Sequence, residues 1–162
     1  MLLDNTEQYK AVWDKVYSEL GFAPGMREII PFDIKVPHAV YGIEDMTEAQ
    51  IDLMENIAKE MFARIADGRM YALDWQHSAL LYNPRDLDEQ RDFWVDDESY
   101  IGGGYNVYFP SFYPDGDYYF FIAEDFSFGW LGHPWRQEIW IFGERLLPEA
   151  EAVYKELGWI RK

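Results

Sequence analysis

Apolar side chains recur at helical spacing near the start of the chain. Tyr9, Val12, Trp13, Val16, Tyr17 and Leu20 follow an i, i+3, i+4, i+7 rhythm that gathers them on one face of a helix. Asn5 or Thr6 is placed to cap its start, and Gly21 to end it in the left-handed conformation. The rhythm returns in Ile51, Met54, Ala58, Met61, Phe62 and Ile65, behind a Thr47-Glu48-Ala49-Gln50 capping box and ahead of Gly68. A third helix is expected from Pro148, a favourable first helical residue, through Ala150, Val153, Tyr154 and Leu157 to Gly158. The first and third helices end in similar words, Val16-Tyr17-Ser18-Glu19-Leu20-Gly21-Phe22 and Val153-Tyr154-Lys155-Glu156-Leu157-Gly158-Trp159. A shared helix stop explains this better than a duplication, because glycine permits the αL turn and the aromatic beyond it folds back onto the last turn.

Elsewhere the period falls to two, and strands are expected over 33–41, 69–76, 78–82, 105–109, 117–123, 126–131 and 137–142. In 117–123, Tyr119, Phe121 and Ala123 face one way and Tyr118, Phe120 and Ile122 the other. A strand with two apolar faces belongs in the middle of a sheet covered on both sides. In the next strand Phe126, Phe128 and Trp130 share a face, while Ser127 and Gly129 leave room on the other for a close-packed element or a ligand. Tyr113-Pro114-Asp115-Gly116-Asp117 reads as a hairpin loop, with proline presetting the first turn position and glycine supplying positive φ. Segment 86–98 carries Asp86, Asp88, Glu89, Asp92, Asp96, Asp97 and Glu98 against Arg91 alone, and runs into Gly102-Gly103-Gly104. It is expected to be a mobile acidic excursion. The expected fold is α+β: one domain over 1–162, with a mainly antiparallel twisted sheet of about five to seven strands and three flanking helices.

The charge balance, 14 basic against 30 acidic residues for a net −16, repels phosphate and anionic lipid and favours encounter with basic partners. Half of the aromatic residues fall within 105–142, where Arg136 is the only Lys or Arg. A base-stacking platform needs a cationic groove to follow the phosphates, so this stretch reads as β-core and no direct nucleic-acid partner is expected. The absence of cysteine excludes disulfides, thiolate catalysis and Cys-bound zinc. The opening Met1-Leu2-Leu3-Asp4-Asn5 lacks the pattern of a secretory leader. The longest apolar run, 118–123, is far short of the ~20 residues that span a bilayer. The expectation is a cytoplasmic protein without membrane association.

Asp74-Trp75-Gln76-His77 is the first stretch with candidate chemistry. His77 has the titration range of a general base. Gly132-His133-Pro134-Trp135 sets a second histidine in a tight loop, and Asp74, His77 and His133 would together make a two-His-one-carboxylate metal site if they converged. On a continuous strand, however, Asp74 and His77 leave opposite faces unless a bulge after Trp75 re-aims one of them, so packed or hydrogen-bonded histidines are expected instead of metal ligands. Glu124-Asp125 reads as a solvated turn rather than a catalytic carboxylate pair. Gly102-Gly103-Gly104 fits no phosphate-loop pattern, and no nucleophile elbow or His-Glu-x-x-His is present. No cofactor is expected.

Taken together, Tyr71-Ala72-Leu73-Asp74-Trp75-Gln76-His77, Pro114-Asp115-Gly116-Asp117-Tyr118-Tyr119-Phe120-Phe121, Gly132-His133-Pro134-Trp135 and Ile141-Phe142-Gly143-Glu144 resemble a bacterial family known as domain of unknown function 2716. The resemblance implies a bacterial or phage source and a single small domain, and it brings no activity, cofactor or active site with it. The functional expectation is a non-catalytic acidic binding protein, such as an immunity protein or inhibitor, that blocks a basic site on a toxin or nuclease. Asp96, Asp97, Glu98, Trp75, Glu124, Asp125 and Trp135 are its candidate contact residues. The alternative is a small hydrolase or metal-dependent enzyme using Asp74, His77 and His133.

Overall fold

Asn5 accepts a hydrogen bond from the Glu7 amide and opens α1 (Thr6–Lys15), which continues into a π-helical turn, Val16–Leu20, ended by Gly21 at φ 72°. The computed structural model describes residues 1–25 and 30–162. In α2 (Glu48–Ile65) the capping box forms: Thr47 Oγ1 accepts from the Gln50 amide, and Gln50 Oε1 accepts from the Thr47 amide. Helix α3 (Leu146–Val153) starts two residues before Pro148, which still lies in the first turn, where its missing N–H costs nothing. No helix among the described residues is long and apolar enough to cross a membrane.

Nine strands accompany these three α-helices among the described residues: β1 (His38–Gly42), β2 (Met70–Asp74), β3 (Ser78–Tyr82), β4 (Phe93–Asp96), β5 (Gly104–Val107), β6 (Tyr119–Ala123), β7 (Gly129–His133), β8 (Glu138–Phe142) and β9 (Ile160–Arg161). Seven form one antiparallel sheet in the order β3-β2-β6-β7-β8-β1-β9, and β4 pairs with β5 in a separate hairpin. The fold class is α+β, with more strands than the sequence pattern suggests and two sheets in place of one.

The main sheet is buried on both faces. Phe121 and Ala123 of β6 join Met54, Phe62, Trp130 and Trp159 in a core beneath α2 and α3. Phe120 and Ile122 of the same strand, with Tyr118 just ahead of it, join Trp13, Val16, Leu20 and Phe22 in a second core beneath α1. The two-faced pattern of 117–123 therefore has the covered, interior position expected of it. The room beside Gly129 is taken by Phe142: a Cβ there would come within 2.5 Å of that ring's Cε1.

Several expected segments differ from the observed ones. Strand β1 begins at His38, directly after Pro37, so 33–37 is not strand. Strand β2 stops at Asp74, because Trp75-Gln76-His77 forms a turn with Gln76 at φ 67°. Phe126 is not part of a strand. It occupies the β6–β7 turn at φ 61° and packs on the α1 side, opposite to Phe128 and Trp130. The loop 113–117 joins β5 to β6 across two sheets instead of closing a hairpin, since β5 pairs with β4 and β6 with β2 and β7. The acidic excursion is structured: Leu87–Glu89 is a 3-10 turn and Phe93–Asp96 is β4.

Candidate functional site

The turn after β2 brings Asp74 and His77 together. The His77 amide donates to the Asp74 carbonyl at 3.0 Å, and the left-handed Gln76 between them reverses the chain, so both side chains emerge on the same side. The expectation that the pleat keeps them apart fails because the strand ends one residue before Trp75. The sheet adds a third group. Strand β6 lies beside β2 with Tyr119 opposite Asp74, and the Trp75 amide donates to the Tyr118 carbonyl, so the residue just ahead, Asp117, lands next to the turn. Its Oδ1 accepts from the Tyr118 amide at 2.8 Å, which aims Oδ2 at the histidine.

His77 Nδ1 lies 2.9 Å from Asp74 Oδ1 and 2.8 Å from Asp117 Oδ2. One ligand atom from each of Asp74, His77 and Asp117 falls within 4.8 Å of the others, the group of metal-binding character found among the described residues. The carboxylates are largely shielded and the imidazole is exposed. Burial, followed by the neighbouring Asp117, raises the Asp74 carboxyl to about 7, while the Asp74 carboxylate beside His77 raises the imidazole above its ordinary value. The cluster sits in the wall of a cleft of ≈ 780 Å³ between the sheet end and the β4–β5 hairpin. Tyr9, Tyr100, Tyr105, Tyr108 and Tyr119 line that cleft, and no lysine or arginine does so among the described residues. Tyr119 donates from its hydroxyl to Asp115 Oδ1 at 2.7 Å, and burial together with that acceptor raises its pKa.

His133 is not part of the cluster. It is fully buried, with ring centroids 4.9 Å from Tyr118, 5.3 Å from Trp140 and 5.4 Å from Phe32. Its Nδ1 accepts from the Arg136 amide at 3.3 Å, and burial depresses its pKa to about 4. His38 is also apart, paired through Nε2 with Asp33 at 3.0 Å.

The chain matches the model of a family described as Protein of unknown function (DUF2716) over residues 3–147. It belongs to that family. The matched span contains Asp74, His77 and Asp117 as well as the hairpin. A relative, Uncharacterized protein YxiI of Bacillus subtilis (strain 168), is 35% identical over 160 residues, covering 90% of this chain and 88% of its own length. No solved structure matches the chain.

The candidate contact residues are scattered. Asp96, Asp97 and Glu98 lie at the end of β4 and in the turn after it, where Asp96 accepts from Trp94 Nε1 and Asp97 from Ser99. Trp75 donates from Nε1 to Tyr17 Oη at 3.2 Å and packs against the α1 core. Trp135 is exposed in the β7–β8 turn. Glu124 and Asp125 are at the opposite end of the sheet from Asp74, the first paired with Arg69 and the second accepting from the Ser127 amide. They form a turn, as read. The residue that sequence reasoning missed is Asp117. The available signal was that its segment, 114–121, and the Asp74–His77 segment are both among the motifs carrying the family resemblance.

Proposed function

We propose that this chain is a small metal-dependent hydrolase whose ion is held by Asp74, His77 and Asp117. The observation that carries the reading is the convergence of these three ligand atoms within 4.8 Å on the wall of a sizeable cleft. Two carboxylates and one imidazole suit zinc, manganese or ferrous iron, and three protein ligands leave positions for water and substrate. Held by Asp74, His77 and Asp117, such an ion would supply Lewis acidity toward a water and toward the bond under attack. Protons on Asp74, raised first by burial and then by Asp117, and on His77, raised by the Asp74 carboxylate, would compete with such an ion, so its binding should strengthen as pH rises. The cleft volume is that of a small-molecule site. Its tyrosine walls, without basic side chains, favour a neutral or ring-bearing substrate over a polyanion. The compartment we propose is the cytoplasm, compatible with the lack among the described residues of a helix long and apolar enough to cross a membrane.

Metal content measured on protein purified without a tag, and calorimetric titration with zinc and manganese, test the ligand set. One ion per chain is expected, lost in Asp117→Asn and in His77→Ala and kept in His133→Phe. No ion, or binding indifferent to Asp117, sinks the assignment. Metal bound without metal-dependent turnover of any chromogenic ester, amide or phosphoester would leave an ion site and remove the hydrolase.

A further inference from the structure

The β4–β5 hairpin carries an exposed apolar surface, of which Trp94 and Ile101 lie outside the cleft. Of eleven large apolar side chains exposed among the described residues, five lie in this hairpin or its flanks: Phe93, Trp94, Tyr100, Ile101 and Tyr108. Ile101 is fully exposed at the tip, Trp94 is 50% exposed and Tyr108 62%. The inner face explains why the hairpin holds its place: Val107 is buried in the α2 core, and Val95 and Tyr105 pack against it. By the alternation of the pleat, Trp94 and Asp96 share the outer face of β4, with Asn106 and Gly104 across from them on β5, and Asp92 and Tyr108 flank the paired residues.

This outer face is preorganised. Trp94 Nε1 donates to Asp96 Oδ1 at 3.0 Å, and the indole lies so close over Gly104 that a Cβ there would meet it at 2.7 Å. An anchored tryptophan loses little side-chain entropy when a partner covers it, which is the behaviour of an interface anchor. Around it stand Asp92, Asp96, Asp97 and Glu98, and residues 92–108 contain no lysine or arginine. A second copy of a chain with net charge −16 would bring the same acidic rim against this one and be repelled. A cationic surface would be drawn in.

We propose that the outer face and tip of the β4–β5 hairpin form a docking surface for a basic protein, with Trp94 and Ile101 as apolar anchors and Asp92, Asp96, Asp97 and Glu98 as the charged rim. Asn106 and Tyr108 also border the cleft, so a protein seated here lies across its mouth.

Selection from a displayed library of random short peptides against the intact chain tests the surface independently of the metal site. The recovered peptides should combine lysine or arginine with an aromatic or branched residue. Their affinity should fall at least about tenfold in Asp96→Lys/Asp97→Lys/Glu98→Lys and in Ile101→Asp, and stay unchanged in Asp117→Asn, with each variant melting as the parent does. Association should slow as salt rises from about 0.05 to 0.5 M, over which the Debye length shrinks from roughly 14 to 4 Å. The proposal is overturned by a library that yields no binder, by peptides without basic residues, or by binding that survives both hairpin variants. It is overturned as well by binding lost only in Asp117→Asn, which places the site in the cleft, or by a concentration-dependent dimer dispersed by Ile101→Asp, which makes the occupant a second copy.

Discussion

His133 illustrates how one residue can look like a ligand in sequence and act as a core residue in the fold. Its ring is enclosed by Phe32, Tyr118 and Trp140, where a charged imidazole is poorly solvated, and its pKa falls to about 4 from an ordinary value near 6.5. A base with a depressed folded pKa contributes stability above its unfolded pKa and loses it as pH falls. Between about pH 6.5 and 4 the unfolded chain takes up the proton first, so the midpoint of urea unfolding should drop steadily over that range. In His133→Phe this part of the profile should flatten, even though the loss of the Arg136 amide's acceptor lowers the midpoint at neutral pH. An unchanged acid limb would assign the pH dependence to other groups. Asp74 and His77 act with the opposite sign, both raised and both losing their contribution as pH rises through their folded values. The chemistry of His77 was readable from its type. Its partner Asp117 was not, because their proximity depends on the pairing of β2 with β6, a contact between segments far apart in sequence.

Helices were the most legible elements, since six apolar residues at helical spacing and a capping box specify α2 locally. Strand β5 falls on the expected strand at 105–109, but its partner β4 was hidden because the acids around Phe93-Trp94-Val95 outweighed a short β-favouring core, and β9 is only two residues long. Turns separate two kinds of glycine. Gly116 has φ 128° with nothing within 4 Å of a would-be Cβ, so Gly116→Ala meets backbone strain alone, on the order of 1 kcal/mol. Gly143 has φ 99° in the turn before α3, and a Cβ there would collide with the Ser127 carbonyl and come within 2.5 Å of Phe128 in the β6–β7 turn. Gly143→Ala should therefore cost more than Gly116→Ala by roughly 1–3 kcal/mol, because neither backbone can give way without loosening α3 from the sheet. Chemical denaturation of the two variants side by side checks the order. Equal costs would mean that the α3 turn is free to shift.

At the scale of the molecule, the sequence revealed that a sheet lies between two apolar layers, through the two-sided strand at 117–123, but not the order of its strands. That order depends on long-range pairs, such as β1 with β8 across about a hundred residues, which no local periodicity encodes. The family match covers the whole main sheet except β9, and with it both the cluster and the hairpin. The two proposed sites share one end of the molecule: the hairpin that presents Trp94 and Ile101 outward also supplies Tyr105 and Tyr108 to the cleft. Ligand traffic and protein docking would thus meet at a common rim.

The pairing of the first residues with β3 has a consequence for self-association. The Leu81 amide donates to the Met1 carbonyl at 2.9 Å and the Leu3 amide to the Ala79 carbonyl at 2.8 Å, so residues 1–3 occupy the open edge of a seven-stranded sheet. At the far edge, β9 is too short and too basic, with Arg161 and Lys162, to template another strand. The main sheet is in this sense blunted at both edges against the growth of continuous intermolecular sheet. Removing residues 1–4 would bare the amides of β3 and strip Leu2, Leu3 and Asp4 from the cleft wall at the same time. The truncated chain should scatter light and form β-rich aggregates at concentrations where the full chain stays monodisperse, with any cleft ligand bound more weakly. A truncation as dispersed as the parent would show that the acidic surface alone keeps the sheets apart.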